Sequence, residues 1–172
     1  MKKKVLIAVL FVLVIGGLLS LMPWSKTVSV QTTVYEYALD QQEPLGTHEV
    51  TIEGKYFYGI WRDPYFDGYL SVSGFPFTRE EPARIVFQRA YGHMGLITFR
   101  DAAGQPRSRE LGQYRGATDF SQFLLMVFEQ KQNGDQVTST WSPETGRILC
   151  TNAPNYEALQ AQCIALDFDI WE

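Results

Sequence analysis

Two pairs of aspartates come closest, among the residues of this chain, to the spacing of a reactive site. Asp63 and Asp67 are four residues apart, and Asp167 and Asp169 are two apart in an alternating stretch. Residues two apart on a strand share a face and lie about 7 Å from each other. Carboxylates at that distance could hold calcium or supply the acid and base of glycoside hydrolysis. Outward aspartates also keep a strand soluble and discourage edge pairing, and this simpler interpretation is favoured.

Histidine offers little further chemistry. His48 and His93 are the only histidines, and neither has acidic or cysteine neighbours at the spacing of a metal site or a catalytic dyad. We therefore expect both to be solvated loop residues, and we expect no catalytic residue, no metal and no cofactor. The sequence also contains no G-x-S-x-G or S-x-x-K motif, no P-loop and no dinucleotide-binding fingerprint.

Cys150 and Cys163 are the only cysteines. Outside the cytoplasm, an even pair of cysteines suggests a disulfide, which would here join a strand ending at Cys150 to a helix containing Cys163. Both can instead be small buried apolar residues, because an unbonded cysteine packs well in a core. The two alternatives stay open.

The densest aromatic stretch is YFYGIWRDPYFDGY, residues 56–69, with seven aromatic residues in fourteen positions. Interpreted as two strands of a hairpin, it carries aromatic side chains on both faces, so they cannot all lie in a core. Most are expected to be ordinary, half-buried residues of a sheet. The alternative is a ligand-binding surface in which Trp61, Tyr65 and Phe66 crown the hairpin tip and contact a glycan or a peptide.

The first residues predict a membrane anchor. Lys2, Lys3 and Lys4 precede an unbroken apolar run of eighteen residues without a charge, 5–22. As a helix this run would span about 27 Å, just enough for the hydrocarbon core of a bilayer, and Trp24 would lie at the far interface. The run is longer than a signal-peptide core and lacks a small-residue cleavage site. Retention is therefore favoured over cleavage and secretion.

The lysines place the N-terminus in the cytoplasm and the rest of the chain outside. We expect a single-pass protein of the cell membrane, with an anchor over residues 1–24 and one extracytoplasmic domain over residues 25–172. The bilayer is its first partner, through residues 5–22. Three of the 15 basic residues precede the run, so the outer part carries 12 basic against 19 acidic residues. That acidic balance argues against binding nucleic acid.

The outer part predicts one mainly β domain, an antiparallel sandwich or barrel with one short C-terminal helix. Short segments rich in Val, Thr and Tyr alternate with turn signals. Asn133-Gly134 predicts a hairpin, and the run 123–128 is apolar on both parities, which indicates a central strand covered on both faces. Asn152 is expected to cap the helix. Residues 164–170 alternate and predict a final strand.

The sequence therefore predicts a membrane-anchored, extracytoplasmic domain that binds or scaffolds at the cell envelope and is not an enzyme. It does not specify whether the partner is a protein or a glycan. Two alternatives stay open. One is an envelope glycan-acting enzyme that uses paired carboxylates. The other is a β-barrel carrier of a small apolar ligand, which requires a closed sheet with a lined interior.

Overall fold

The computed structural model describes residues 10–11, 13–17, 24–88, 94–107, 109–133 and 136–168. From residue 24 onward the described chain is mainly β-strand. Its strands are β1 (Trp24–Ala38), β2 (Gly46–Tyr58), β3 (Tyr65–Val72), β4 (Ala83–Phe87), β5 (Met94–Arg100), β6 (Pro106–Arg107), β7 (Leu111–Gly116), β8 (Phe123–Val127), β9 (Glu129–Asn133), β10 (Gln136–Thr140) and β11 (Arg147–Thr151). Its helices are α1 (Phe77–Glu80) and α2 (Tyr156–Ala165).

Eight of these strands form a closed antiparallel barrel. They pair around the barrel in chain order, β1, β2, β3, β4, β5, β7, β8 and β11, and β11 pairs with β1 to close the sheet. Strand β6 adds only two residues beside β5. The predicted mainly β, antiparallel fold is confirmed, and the barrel is the correct architecture rather than the sandwich. Closure gives each barrel strand a partner on both sides, which a short open sheet cannot do.

Alternate side chains fill the inside of the barrel. On β2, Val50, Ile52 and Tyr56 are buried, and the residues next to each of them are more exposed. This is the period-two pattern of a strand with one face in a core. Eight strands leave an interior that side chains can fill. Here the filling is rich in aromatic rings, namely Tyr56, Phe66, Phe87, Phe99, Tyr114, Phe120 and Phe123.

One pair of glycines shows how closely the aromatic rings approach the barrel wall. Gly54 on β2 faces Gly68 on β3. A Cβ added at Gly54 would lie 2.5 Å from the main-chain oxygen of Asp67 and 2.9 Å from the ring of Phe66. A side chain at this position would collide with both, so the ring covers a part of the wall that only glycine can form.

Strand β8 is covered on both faces, as its sequence predicts. All five of its residues are buried. Phe123 and Leu125 belong to the cluster inside the barrel, whereas Leu124 and Met126 face a second cluster outside it. Helix α2 supplies the cover for this outer face through Leu159 and other apolar residues. The barrel therefore has a packed interior and a smaller outer core beneath α2.

Two expectations for the end of the chain are wrong. The cap of α2 is Asn155, whose side chain accepts a hydrogen bond of 2.9 Å from the main chain of Ala158, and not Asn152. The predicted last strand does not form over residues 164–168, because α2 continues to Ala165 and a turn follows. Ile164, expected to face a core, is mostly exposed. The remaining residues of that prediction, 169–170, lie outside the described residues.

The predicted hairpin at Asn133 forms, but with a shifted register. Asn133 pairs with Gln136, so residues 134 and 135 separate the two strands. Strand β8 does not continue into this hairpin. The chain leaves the barrel at Phe128, whose main-chain N–H donates to the carbonyl of Glu110, and β9 then pairs with β10 alone. The β9–β10 hairpin thus projects from the rim of the barrel.

Most of the predicted membrane span, residues 5–22, lies outside the described residues. In the part of the chain that the structure describes, no helix combines the length and apolar character needed to cross a bilayer. Strand β1 begins at Trp24, immediately after this segment.

Candidate functional site

Strand β1 connects two exposed regions at opposite ends of the barrel. It has 15 residues, and at roughly 3.3 Å per residue it spans about 45 Å. We call the region around its start the aromatic end, formed by Trp24, Tyr58, Ile60 and Trp61. We call the region around its finish the charged end, formed by Glu36, His48, Arg147 and the groove beside them.

The aromatic end contains part of the stretch 56–69. Trp24 pairs with Tyr58 across β1 and β2, and their ring centroids are 6.0 Å apart. Tyr58 and Trp61 expose 43% and 71% of their surface. Tyr65 is half-buried, stacks on Phe57 at 4.7 Å and lies under the guanidinium of Arg84. The aromatic side chains at this end are more exposed to solvent than the rings inside the barrel.

The expectation that Phe66 crowns the hairpin tip is wrong. Phe66 is fully buried, and its ring packs edge-on against Phe120 at 5.1 Å. It belongs to the inward parity of β3, together with Leu70. Binding of a ligand by Trp61 and Tyr65 stays a prediction, and the structure places these two side chains on the outside.

The charged end is organised around a buried carboxylate. Glu36 is only 6% exposed, and one of its oxygens, Oε1, accepts hydrogen bonds from Nε (2.6 Å) and Nη2 of Arg147. Its other oxygen, Oε2, lies 2.8 Å from Nε2 of His48. A buried charge needs such partners, since leaving it unpaired costs several kcal/mol, on the order of 3–5. The Arg147 side chain remains about half exposed.

His48 has an acceptor at each ring nitrogen. Nε2 contacts the Glu36 carboxylate and Nδ1 contacts the carbonyl oxygen of Ser73. The carbonyl oxygen can only accept, so Nδ1 donates in the contact with Ser73. The prediction of a solvated loop residue is wrong for His48, which lies within β2 and is largely buried. His93 lies outside the described residues.

A groove of about 380 Å³ lies beside Arg147, where the β9–β10 hairpin leaves the barrel. An adjoining depression of about 210 Å³ shares Val127, Glu129 and Lys131 with it and reaches Trp141. The groove is lined by Glu110, Val127, Phe128, Glu129, Gln130, Lys131 and Arg147. Its charged residues are two acids and two bases, so it offers partners for both signs of charge.

The paired carboxylates do not form a shared cleft among the described residues. Asp67 makes an ion pair with Arg84, and Asp63 is exposed in the loop between β2 and β3. Asp167 is exposed after α2, and Asp169 is outside the described residues. Across the part of the chain that the structure describes, no three His, Cys, Asp or Glu side chains are grouped as a metal site would require.

Cys150 and Cys163 both carry thiols in this structure and both are buried. They belong to the same outer core beneath α2. Burial, with a smaller contribution from Cys163, raises the pKa of the Cys150 thiol well above its usual range. The structure thus places the two cysteines in the apolar environment that one of the alternatives requires. The disulfide stays a prediction.

None of the three residues of the charged end was predicted from the sequence to belong to a site. Glu36 and His48 are twelve positions apart on either side of a turn, and Arg147 is 99 residues beyond His48. The detectable signal was a single glutamate in a segment that otherwise reads as a strand, TVYEYAL, where a buried charge must have a partner.

No protein-family model matches the chain, and no curated protein or solved structure is significantly similar to it.

Proposed function

We propose that this chain is a single-pass membrane protein whose barrel lies outside the cytoplasm and binds a protein partner, without catalysis, through the groove at the charged end. The proposed anchor rests on the uncharged run 5–22 and on the three lysines before it. The acidic character of the remaining chain agrees with a protein partner better than with nucleic acid.

The observation that carries the proposal is the direction of β1. With residues 5–22 in the bilayer, β1 begins two residues beyond the membrane, at Trp24. Glu36 lies twelve residues further along the same strand, a distance of about 40 Å at roughly 3.3 Å per residue. The barrel would then present the groove beside Arg147 away from the membrane, where a partner can reach it.

The groove has the chemistry of a peptide-binding surface. Arg147 is held in place by Glu36, to which its Nε and Nη2 atoms donate hydrogen bonds. A guanidinium has five N–H donors in a rigid fork. The exposed remainder of this fork can bind a carboxylate or a carbonyl. Lys131 adds a second cation, and Glu110 and Glu129 can accept from a partner's cations or main-chain N–H groups. Prior fixation of Arg147 lowers the entropy lost on binding.

The two alternative functions receive less support. An enzyme acting on envelope glycans needs two carboxylates around one bond, and Asp67 is instead engaged by Arg84. A carrier of a small apolar ligand needs space inside the barrel, and buried aromatic rings pack there. Secretion after cleavage would leave the groove unchanged and would remove only the anchor.

Membrane attachment is tested with the full chain expressed in cells. The protein should remain in the membrane pellet after extraction with alkaline carbonate, and protease added from outside should digest the barrel. A soluble protein in the carbonate supernatant would contradict the anchor.

Binding through the groove is tested by retention of the detergent-solubilised full chain on envelope extract and on a panel of glycans. Lys131→Ala removes an exposed cation of the groove, and Lys55→Ala is the matched control on β2, away from it. We expect Lys131→Ala to weaken retention on protein about tenfold, which corresponds to roughly 1.4 kcal/mol, and Lys55→Ala to change nothing. Equal retention of both variants, or retention on glycans alone, would contradict the proposed protein-binding groove.

A further inference from the structure

The aromatic end is an exposed apolar surface with an unusual position in the chain. Trp24, Tyr58, Ile60 and Trp61 expose 45%, 43%, 50% and 71% of their surfaces. Trp24 and Tyr58 are in ring contact, and Ile60 and Trp61 follow in the loop after β2. A cluster of large exposed apolar side chains marks an interaction surface.

The chain itself limits what can cover this surface. The apolar run ends at residue 22, two residues before Trp24. Two residues of extended chain reach at most about 7 Å. The polar layer of a bilayer is of similar thickness, since the whole bilayer measures about 40–45 Å and its hydrocarbon core about 30 Å. With the run in the bilayer, Trp24 cannot leave the headgroup layer, and Tyr58 is held against it.

The residue types agree with that location. Trp and Tyr are enriched at the boundary between lipid tails and headgroups, because their rings are apolar and their N–H and O–H groups are polar. Lys26 is exposed and its ammonium group lies 5.2 Å from the centre of the Tyr56 ring. Arg62 follows Trp61 and is also exposed. Such long basic side chains lie along apolar surface and extend their charge to phosphate.

We infer that the aromatic end of the barrel docks on the bilayer surface, with Trp61 and Ile60 inserted at the boundary between headgroups and acyl chains. This inference rests on the proposed membrane anchor and adds a second, non-covalent attachment that fixes the orientation of the barrel. Two attachment points, the anchor before Trp24 and the loop at Trp61, would keep β1 steeply inclined to the membrane and the groove far from it.

The experiment uses the full chain in vesicles of phosphatidylcholine, because the acidic domain is repelled by anionic lipid. The variant with Trp24→Phe, Trp141→Phe and Trp171→Phe leaves Trp61 as the only indole. A matched variant leaves only Trp141, which lines the depression adjoining the groove at the opposite end. Each is compared in plain lipid and in lipid brominated near the headgroup, after flotation shows how much protein is bound to the vesicles.

We expect both variants to float, and we expect bromine to reduce the emission of Trp61 about twofold, since the ring would lie within ~7 Å of the hydrocarbon edge. The emission of Trp141 should be unchanged. Flotation with no quenching of Trp61 would overturn the docking while the anchor stands. A blue shift of Trp61 emission without bromine quenching would also overturn the docking and would indicate that a second copy of the chain covers the ring. Failure to float would overturn the anchor itself.

Discussion

Truncation of two rings from the same aromatic stretch should have opposite consequences for stability. Phe66 is fully buried, packs against Phe120 and covers the pair Gly54 and Gly68. Trp61 lies only five residues earlier and is 71% exposed. The comparison of Phe66→Ala with Trp61→Ala therefore separates the interior of the barrel from its surface.

The size of the effect follows from the surroundings of each ring. Replacement of a buried Phe by Ala costs about 3–5 kcal/mol, and the cost grows with the cavity that remains. The wall beneath Phe66 is glycine, with no side chain that could move into the space, so we expect about 4 kcal/mol or more. Trp61→Ala removes little buried area and should cost below about 1 kcal/mol.

The assay is urea unfolding of the full chain in mild detergent, followed by far-ultraviolet circular dichroism, which does not depend on tryptophan emission. Phe66→Leu is the control, because it keeps most of the volume and should cost less than about 1.5 kcal/mol. A cost for Phe66→Ala below about 1 kcal/mol, or an equal cost for Trp61→Ala, would refute the interior packing described above.

Three further predictions concern single side chains. Arg147→Ala leaves the buried carboxylate of Glu36 with fewer partners and should lower the free energy of unfolding, measured in urea, by about 2 kcal/mol. Arg84→Ala breaks a more exposed ion pair and should lower it by less than about 1 kcal/mol. Equal losses would show that burial of Glu36 does not strengthen its dependence on Arg147. The raised pKa of the Cys150 thiol should make its alkylation by iodoacetamide at pH 8 at least about 100-fold slower than that of glutathione, because the thiolate reacts, and rapid labelling of the folded protein would disprove this. Burial raises the pKa of Tyr114, so its contribution to folding stability is complete below about pH 10 and falls as the pH rises beyond it. The difference between wild type and Tyr114→Phe in titration at 295 nm should appear only together with loss of β structure, and a difference while β structure is intact would count against this.

The local residue pattern predicted the structure correctly where a single strand or turn determines it. The uniform apolar run of β8 predicted cover on both faces, and both covers exist, the barrel interior for Phe123 and α2 for Leu124. The asparagine-glycine pair predicted a turn because its residues tolerate positive φ. It could not fix the register, since a shift of the turn by one residue costs little when the flanking residues are polar on both faces.

The local residue pattern gave wrong predictions where a residue packs against a part of the chain that is distant in sequence. The sequence of residues 164–168 alternates as in a strand. In the structure this segment packs against the outer face of the barrel, where Cys163 makes its contacts from α2 and Leu166 from the turn after it. The sequence pattern placed both Phe66 and Trp61 at the tip of a hairpin. Which of them is inside depends on the parity of β3 in the closed barrel, and on the glycines that make room for a ring.

The sequence by itself determined the mainly β class, the antiparallel pairing of neighbours, the double cover of β8 and the uncharged run next to the domain, because each depends on residues close together in the chain. Only the tertiary structure decided that the sheet closes, that Glu36, His48 and Arg147 meet, and that the aromatic and charged ends lie at opposite ends of β1. Closure and the charged cluster require β11 to return beside β1, more than a hundred residues later. A pairing over that separation is determined by the summed packing of the whole barrel and not by any local preference.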